Sequence, residues 1–454
     1  MSQNTTKENK MGVMPIPRLL VSMSLPMIIS MMVQALYNIV DSMFVAQMNE
    51  AALTAVSLAF PIQNLLIAVA AGTGVGVNAL LSRSLGEKKF EDANTIASNG
   101  VFLALVSSAI FAVLGLIGAR LFFTAQTSDE QIITYGTQYL TIVMVGSVFI
   151  FLQITYERLM QSTGKTIFNM ITQATGAVIN IILDPIFIFG YFGFPAMGVV
   201  GAAVATITGQ LVAVAMAFYF QKKYNTEITV RFRGFRFCKA TVGRIYRIGV
   251  PSIIMQSIGS VTTFAMNNIL LMFSSTAATV YGVYFKLQSF IFMPIFGLTN
   301  GLIPIVAYNY GARNKKRIFA ALKLAICIAV GIMTLGLAAF QLFPATLLGL
   351  FEASDTMLSI GVPALRIISL SFVFAGFGIM CSATFQALGN GVYSMIVSAI
   401  RQLIVIVPAA YLFARVLGLH AVWWALPLAE IAALTMCIFF LKRIIEEKLA
   451  DLDD

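Results

Sequence analysis

The sequence predicts an all-α polytopic membrane protein, twelve transmembrane helices in two pseudo-symmetric six-helix lobes. Three observations predict it. The 454 residues are 59% hydrophobic and only 11% charged, with a mean hydropathy of +0.89. Soluble domains run near one quarter charged, so a soluble enzyme is excluded. Apolar runs of about 20 residues, enough to cross the hydrocarbon core, recur from end to end. Finally, the chain repeats: a shift of 225 residues, the separation of Pro26 from Pro251, lays the first half on the second without a gap.

The elements follow in order. A polar tail, MSQNTTKENK, opens residues 1–17 and carries no expected fold. No basic segment, short apolar core and small-residue cleavage site follow, so no removable signal peptide is expected. Reading apolar runs against polar breaks gives six spans at 18–46, 51–82, 94–118, 132–156, 166–190 and 197–221. Six more lie at 246–272, 277–307, 317–341, 357–385, 392–416 and 420–441. The longest polar connection, 222–245, links an N-lobe (18–221) to a C-lobe (246–441), and residues 442–454 form a tail. All but Arg120, Lys286, Arg366, Arg401 and Arg415 of the 29 Lys and Arg fall in or beside the connections on one side. Glu50, Asp129, Glu130, Glu352 and Asp355 face the other. The positive-inside rule then places both termini in the cytoplasm, in a bacterial inner membrane or its equivalent. It also accounts for the net charge of +10 without nucleic acid.

At the 225 offset Pro26, Ile28, Ile29, Phe60, Gln63, Gly72, Gly76 and Gly86 fall on Pro251, Ile253, Ile254, Phe285, Gln288, Gly297, Gly301 and Gly311. Six is even, so both halves share one orientation: a parallel repeat about an axis along the membrane normal, an architecture of transporters.

Charges inside spans need a reason. Among the acids only Asp41, Asp184 and Glu430 lie within spans, with Glu157 at a cytoplasmic edge. Ser30, Gln34, Tyr37 and Asp41 fall at i, i+4, i+7 and i+11, one helical face. Asp184 stands in NIILDPIFIFG with Asn180 one turn earlier on the same face, and Pro185 follows. Both acids fall in the outer half of their spans. Two carboxylates brought together in low dielectric cannot both ionise cheaply, so one holds a proton near neutrality or the pair takes up a cation. The plainer alternative is that each simply hydrogen-bonds to a neighbouring helix. In the second half Asp41 lands on Met266, and Lys286, Arg366, Arg401 and Glu430 take over. Arg401 with Glu430 reads as a structural ion pair, Lys286 as the functional cation. Pro26 is either a plain kink or a bending point that reports the state of Asp41. Methionines crowd the first helix, Met31 among them, and methionine adapts to varied apolar shapes.

Other chemistry is poorly supplied. His420 is the single histidine, and Cys238, Cys327, Cys381 and Cys437 lie far apart with no CxxC. No cofactor, disulfide framework or histidine-based catalysis is expected. GTGVGV at 72–77 lacks the Lys-Ser/Thr of a phosphate loop and sits in a span, so it reads as close helix packing. The energy must come from an ion gradient.

The stretches GLTNGLIPIVAYNYGARNKKR (297–317) and GTGVGVNALLSRSLGEKK (72–89) resemble the paired signatures after the eighth and second helices of the MATE family, the multidrug and toxic-compound extrusion transporters. LPM (25–27), NIVD (38–41), NIILDP (180–185), GAAVAT (201–206) and FQALGN (385–390) fit as well, and the resemblance covers nearly the whole chain. It implies two six-helix lobes facing a central cavity and export of lipophilic organic cations in exchange for H⁺ or Na⁺ by a monomer in the lipid bilayer. Acids in the first lobe are similar to the DinF-type branch. Carried over by motif, Asp41, Asn180 and Asp184 form the ion site with Thr206 as a fourth oxygen, and these four would be the metal ligands if the ion is Na⁺. Met31, Gln34, Tyr37, Asn38, Lys286 and Gln288 would line the substrate cavity, with Pro26 the hinge. Helices seven and ten carry no acid, so no second-lobe ion site is implied. A flippase for lipid-linked saccharides in the same superfamily is the alternative. It would want a cationic cavity, which Lys286, Arg366 and Arg401 could supply and the first-lobe acids oppose.

Overall fold

The computed structural model describes residues 8–450 and 452. Residues 1–7 of the polar tail, and 451, 453 and 454 at the other end, lie outside them. Ten helices are long and apolar enough to cross a membrane, and two bent pairs qualify together, giving up to twelve spans. No strand occurs among the described residues.

The tail is shorter than expected. Asn9 caps a one-turn helix, α1 (Lys10–Val13), its side chain accepting from the Met11 amide, and α2 (Ile16–Ala46) follows at once. The remaining helices of the first half are α3 (Glu50–Gly86), α4 (Phe90–Thr124), α5 (Glu130–Val145), α6 (Ser147–Ser162), α7 (Thr166–Phe189) and α8 (Val199–Tyr224). The second half holds α9 (Lys239–Leu271), α10 (Ser275–Gly311), α11 (Lys315–Leu342), a short α12 (Pro344–Gly349), α13 (Asp355–Ser369) and α14 (Phe372–Ala387). Beyond them come α15 (Gly391–Ala399), a π-helical stretch Ile400–Ile406, α16 (Val407–Val416), α17 (Leu419–Val422) and α18 (Ala425–Ile444).

Two of the predicted spans are broken. The fourth is α5 and α6, bent by 44°, and the tenth is α13 and α14, bent by 47°. At the first bend Gly146 leaves room for Ile207: a Cβ there would lie 2.3 Å from Ile207 Cδ1. Pro26 does not interrupt α2, which is helical throughout.

The repeat is a repeat of backbone. Helices α3 and α10 have 37 residues each and begin and end at the 225 offset. Asn49 caps α3 by accepting from the Ala52 amide, and its counterpart Ser274 caps α10 by accepting from Ala277. The turns that follow place Lys88 and Arg313, again offset equivalents, at φ of 59° and 58°.

The chain divides into two compact units, 29–249 and 1–28 with 250–454. Each therefore includes one end of a helix counted with the other half. In 29–249, Gly76 admits the start of α9: a Cβ on it would sit 2.3 Å from the Ile245 carbonyl oxygen, and one on Gly249 3.2 Å from that of Gly72. In the other unit, the offset equivalents Gly301 and Gly297 of α10 admit the start of α2. Cβ atoms there would meet Ser24 Oγ at 2.2 Å and Ile28 Cα at 2.6 Å. Small residues let helices approach to backbone contact, which is why Gly72, Gly76, Gly297 and Gly301 hold one register.

The connection 222–245 is strapped along α4. Asn94 Oδ1, Ser98 Oγ and Asn99 Oδ1 accept from the backbone amides of Thr229, Arg231 and Cys238 at 2.7, 2.9 and 3.1 Å. Arg244 clamps Asp92 at 2.6 Å and Ser84 donates to the same carboxylate. Burial alone would raise the Asp92 pKa, but these donors outweigh it and hold the carboxyl below its usual range. In the other unit Arg317, the offset equivalent of Asp92, donates to the Met11 and Met14 carbonyls, tying down α1. That latch orders residues the composition marks as a polar tail.

Candidate functional site

The site lies within the unit 29–249. Helices α7 and α8 are drawn together at two glycines of α8: a Cβ on Gly209 would be 2.7 Å from the Gly176 oxygen, and one on Gly201 2.4 Å from the Phe187 oxygen. Between them stands Thr206, one helix across from Asn180 and Asp184. Exposures of 9%, 2% and 0% put all three in the interior.

Asn180 is the junction. With its amide oriented by its neighbours, Nδ2 donates to Asp184 Oδ2 at 2.8 Å, and Oδ1 accepts from the Thr206 amide at 2.9 Å. The Thr206 hydroxyl proton is shared between that oxygen at 3.2 Å and the Ala202 carbonyl at 3.0 Å. From α2, Tyr37 lies against Thr206, and the Asp41 carboxyl lies against that of Asp184. Two carboxyls this close can share a hydrogen bond only when one of them holds a proton. Asp41 Oδ1 and Asp184 Oδ1 are buried with no hydrogen-bond partner among the described residues. The cage therefore offers one proton position and spare oxygen donors, which fits a proton or a small monovalent cation in exchange for it.

The structure thus brings together Asp41, Asn180, Asp184, Thr206 and Tyr37. Gln34 and Asn38 are exposed and Met31 is half-buried, so the face read from Ser30 to Asp41 is buried only in part. Two residues that spacing did not single out as site members also belong. Tyr139 is 3% exposed and close enough to feel both carboxyls, and it accepts from Gln63 Nε2 at 2.9 Å. The available signal for Gln63 was its place in the repeat. An apolar wall of Val45, Phe111, Phe151, Ile188, Val199 and Ala202 packs around them, keeping the local dielectric low.

The second-half charges are each occupied. Arg401 Nη1 donates to Glu430 Oε1 at 3.2 Å, Lys286 stands over the Phe351 ring at 5.8 Å, and Arg366 Nε donates to the Gln341 carbonyl at 3.3 Å. Met266, where Asp41 would fall, is fully buried. Lys286 is exposed and Gln288 half-buried. No group of three or more His, Cys, Asp or Glu is placed to hold a metal among the described residues.

A repeated membrane-helix bundle with an acid pair caged by amide, hydroxyl and phenol defines a membrane transporter, and the comparisons agree. The family model MatE matches residues 26–186 and 251–412. The chain belongs to this family, the MATE transporters: it is a multi-pass plasma-membrane protein and not an enzyme. It is 29% identical to the multidrug export protein MepA of Staphylococcus haemolyticus over 424 residues, 93% of this chain and 91% of that one. An outward-facing multidrug resistance MATE transporter of the MOP superfamily superposes with a TM-score of 0.91 at 28% identity, covering 98% of this chain and 99% of that one. A MOP superfamily transporter from Pyrococcus furiosus does so with the same score at 27% identity over the same shares. Its binding pocket is described as having a reverse polarity that suggests a different function.

Proposed function

We propose that the chain exports lipophilic organic cations in exchange for H⁺ or Na⁺ by alternating access, with both termini in the cytoplasm. The close approach of the Asp41 and Asp184 carboxyls carries this reading. A buried pair sharing one proton is a site whose occupancy responds to an ion gradient, and structural stability alone does not call for it. Facing outward, the pair takes up the ion while Asn180, Thr206 and Tyr37 hold its oxygens in place. The loaded protein rocks inward, loses the ion and regains affinity for drug. Drug and ion then bias one conformational equilibrium, and their unequal affinities for its two states supply the coupling. Asp41, Asn180, Asp184 and Thr206 are the ligands in either case. Met31, Gln34, Tyr37 and Asn38 present the drug-binding surface beside them. Pro26, two residues from the boundary of the two units, is the bending point of α2.

The test is dye efflux from proteoliposomes. Ethidium efflux is followed under a pH gradient and, separately, a Na⁺ gradient, for wild type and Asp41→Asn. The gradient that drives wild-type efflux names the ion, and Asp41→Asn should reduce that efflux at least about tenfold. Folded wild-type protein without efflux under either gradient would transfer the assignment to transport of a lipid-linked saccharide.

A further inference from the structure

A third carboxyl is buried in the same unit, and the coupling cycle above does not use it. Glu157, on α6, is 5% exposed. Gln153 Nε2 donates to its Oε1 at 3.0 Å, Gln173 Nε2 to its Oε2 at 2.8 Å, and Asn169 Nδ2 to its backbone carbonyl at 3.0 Å. Its only side-chain partners among the described residues are thus neutral amides. Arg158, next to it, donates instead to Gln161 Oε1 at 2.8 Å and acts on Glu157 only through space. Among the described residues no ion pair or charged hydrogen bond reaches Glu157 from α3, α4, α7 or α8. A buried carboxyl held by amides alone is an expensive way to fill space; glutamine would pack as well.

Two features give it a use. Gln173 Oε1 is buried with no partner among the described residues. If that amide turns over, Oε1 takes the place of Nε2 and accepts from a protonated Glu157, so the same pair suits both protonation states. The second feature is alignment. Asn169, Gln173, Asn180 and Asp184 fall at i, i+4, i+11 and i+15 of α7, within about 60° of one helical face. That face carries polar side chains at its two ends, beside Glu157 and at the carboxyl pair, with Gly176 and Ala177 between them and Gln173 and Asp184 about 16 Å apart along the axis.

We propose that Glu157 is a second proton-binding site of this unit, from which the coupling proton leaves for the cytoplasm while the Gln173 amide turns over. The step is one proton passing from Glu157 to water, with no redox change. It rests on the proposed antiport and on H⁺ as the coupling ion. Glu157→Gln, Glu157→Asp and Asp41→Asn are reconstituted beside wild type, and ethidium efflux is measured at a fixed pH gradient while the cytoplasmic-side pH is varied. Glu157→Gln should lose at least about tenfold in efflux and its dependence on cytoplasmic-side pH. It should still bind ethidium in detergent with wild-type affinity and with the pH dependence owed to Asp41. Glu157→Asp should restore efflux with a shifted pH midpoint. A Glu157→Gln protein with wild-type rate and pH profile, beside an inactive Asp41→Asn, overturns this inference alone. An active Asp41→Asn, or efflux driven only by Na⁺, overturns the proton reading and this inference with it. Should Glu157→Gln not fold, the Glu157→Asp midpoint decides: unchanged, it overturns the assignment.

Discussion

At Asn180 a single amide serves Asp184 Oδ2, the Thr206 amide and the Thr206 hydroxyl. Asn180→Ala would leave the buried Asp184 Oδ2 without its amide donor, worth about 1–3 kcal/mol, while the Thr206 hydroxyl keeps the Ala202 carbonyl. Purified Asn180→Ala should therefore melt several degrees below wild type in detergent, and an unchanged melting temperature would remove Asn180 from the cage. Asp41, Asn180 and Asp184 were legible because ionised and amide side chains stand out in an apolar run. Tyr139 and Gln63 were not, since a tyrosine or glutamine in a span gives no sign of which neighbouring helix it meets. Thr206 came from resemblance to a motif. Its physical reason is visible only once Gly201 and Gly209 are seen to press α8 against α7.

Among the elements, the glycine crossings are where sequence and structure meet most closely. The 225-residue register pairs Gly72 with Gly297 and Gly76 with Gly301, and each pair proves to be a helix crossing at backbone distance. A side chain at Gly76 must displace the Ile245 backbone. Gly76→Val should cost roughly 1–3 kcal/mol or more by overpacking, seen as a lower melting temperature. Gly118→Ala, where a Cβ would meet nothing within 4 Å, should be neutral or slightly stabilising. Equal melting of both variants would refute the crossing. The bends escaped prediction because no proline stands at either break, Pro363 lying well inside α13: at Gly146 the cause is Ile207 on another helix, which periodicity within one segment does not register. The α1 turn escaped for a similar reason. Its order comes from Asn309 and Arg317, about three hundred residues away along the chain.

For the whole molecule, the two units share a backbone plan and differ in chemistry. The helix ends, caps and turn of the α3 region recur in the α10 region, yet Asp41 is matched by a buried methionine, and the second unit spends its acid on Arg401. Twelve spans and the repeat were legible because both follow from hydropathy and spacing; the assignment of the α2 and α9 ends to opposite units was not, because it depends on contacts between distant segments. On the proposed reading the chemical asymmetry puts ion coupling in one unit, and that reading has a direct equilibrium test. Ethidium is added to purified protein in weakly buffered detergent solution, the proton release is recorded with a pH electrode, and the titration is repeated over a range of Na⁺ concentrations. If the Asp41–Asp184 pair is the coupling site, wild type releases about one proton per dye bound, or loses dye affinity as Na⁺ rises, and Asp41→Asn with Asp184→Asn abolishes the effect. Linkage of wild-type size in that double variant would contradict it.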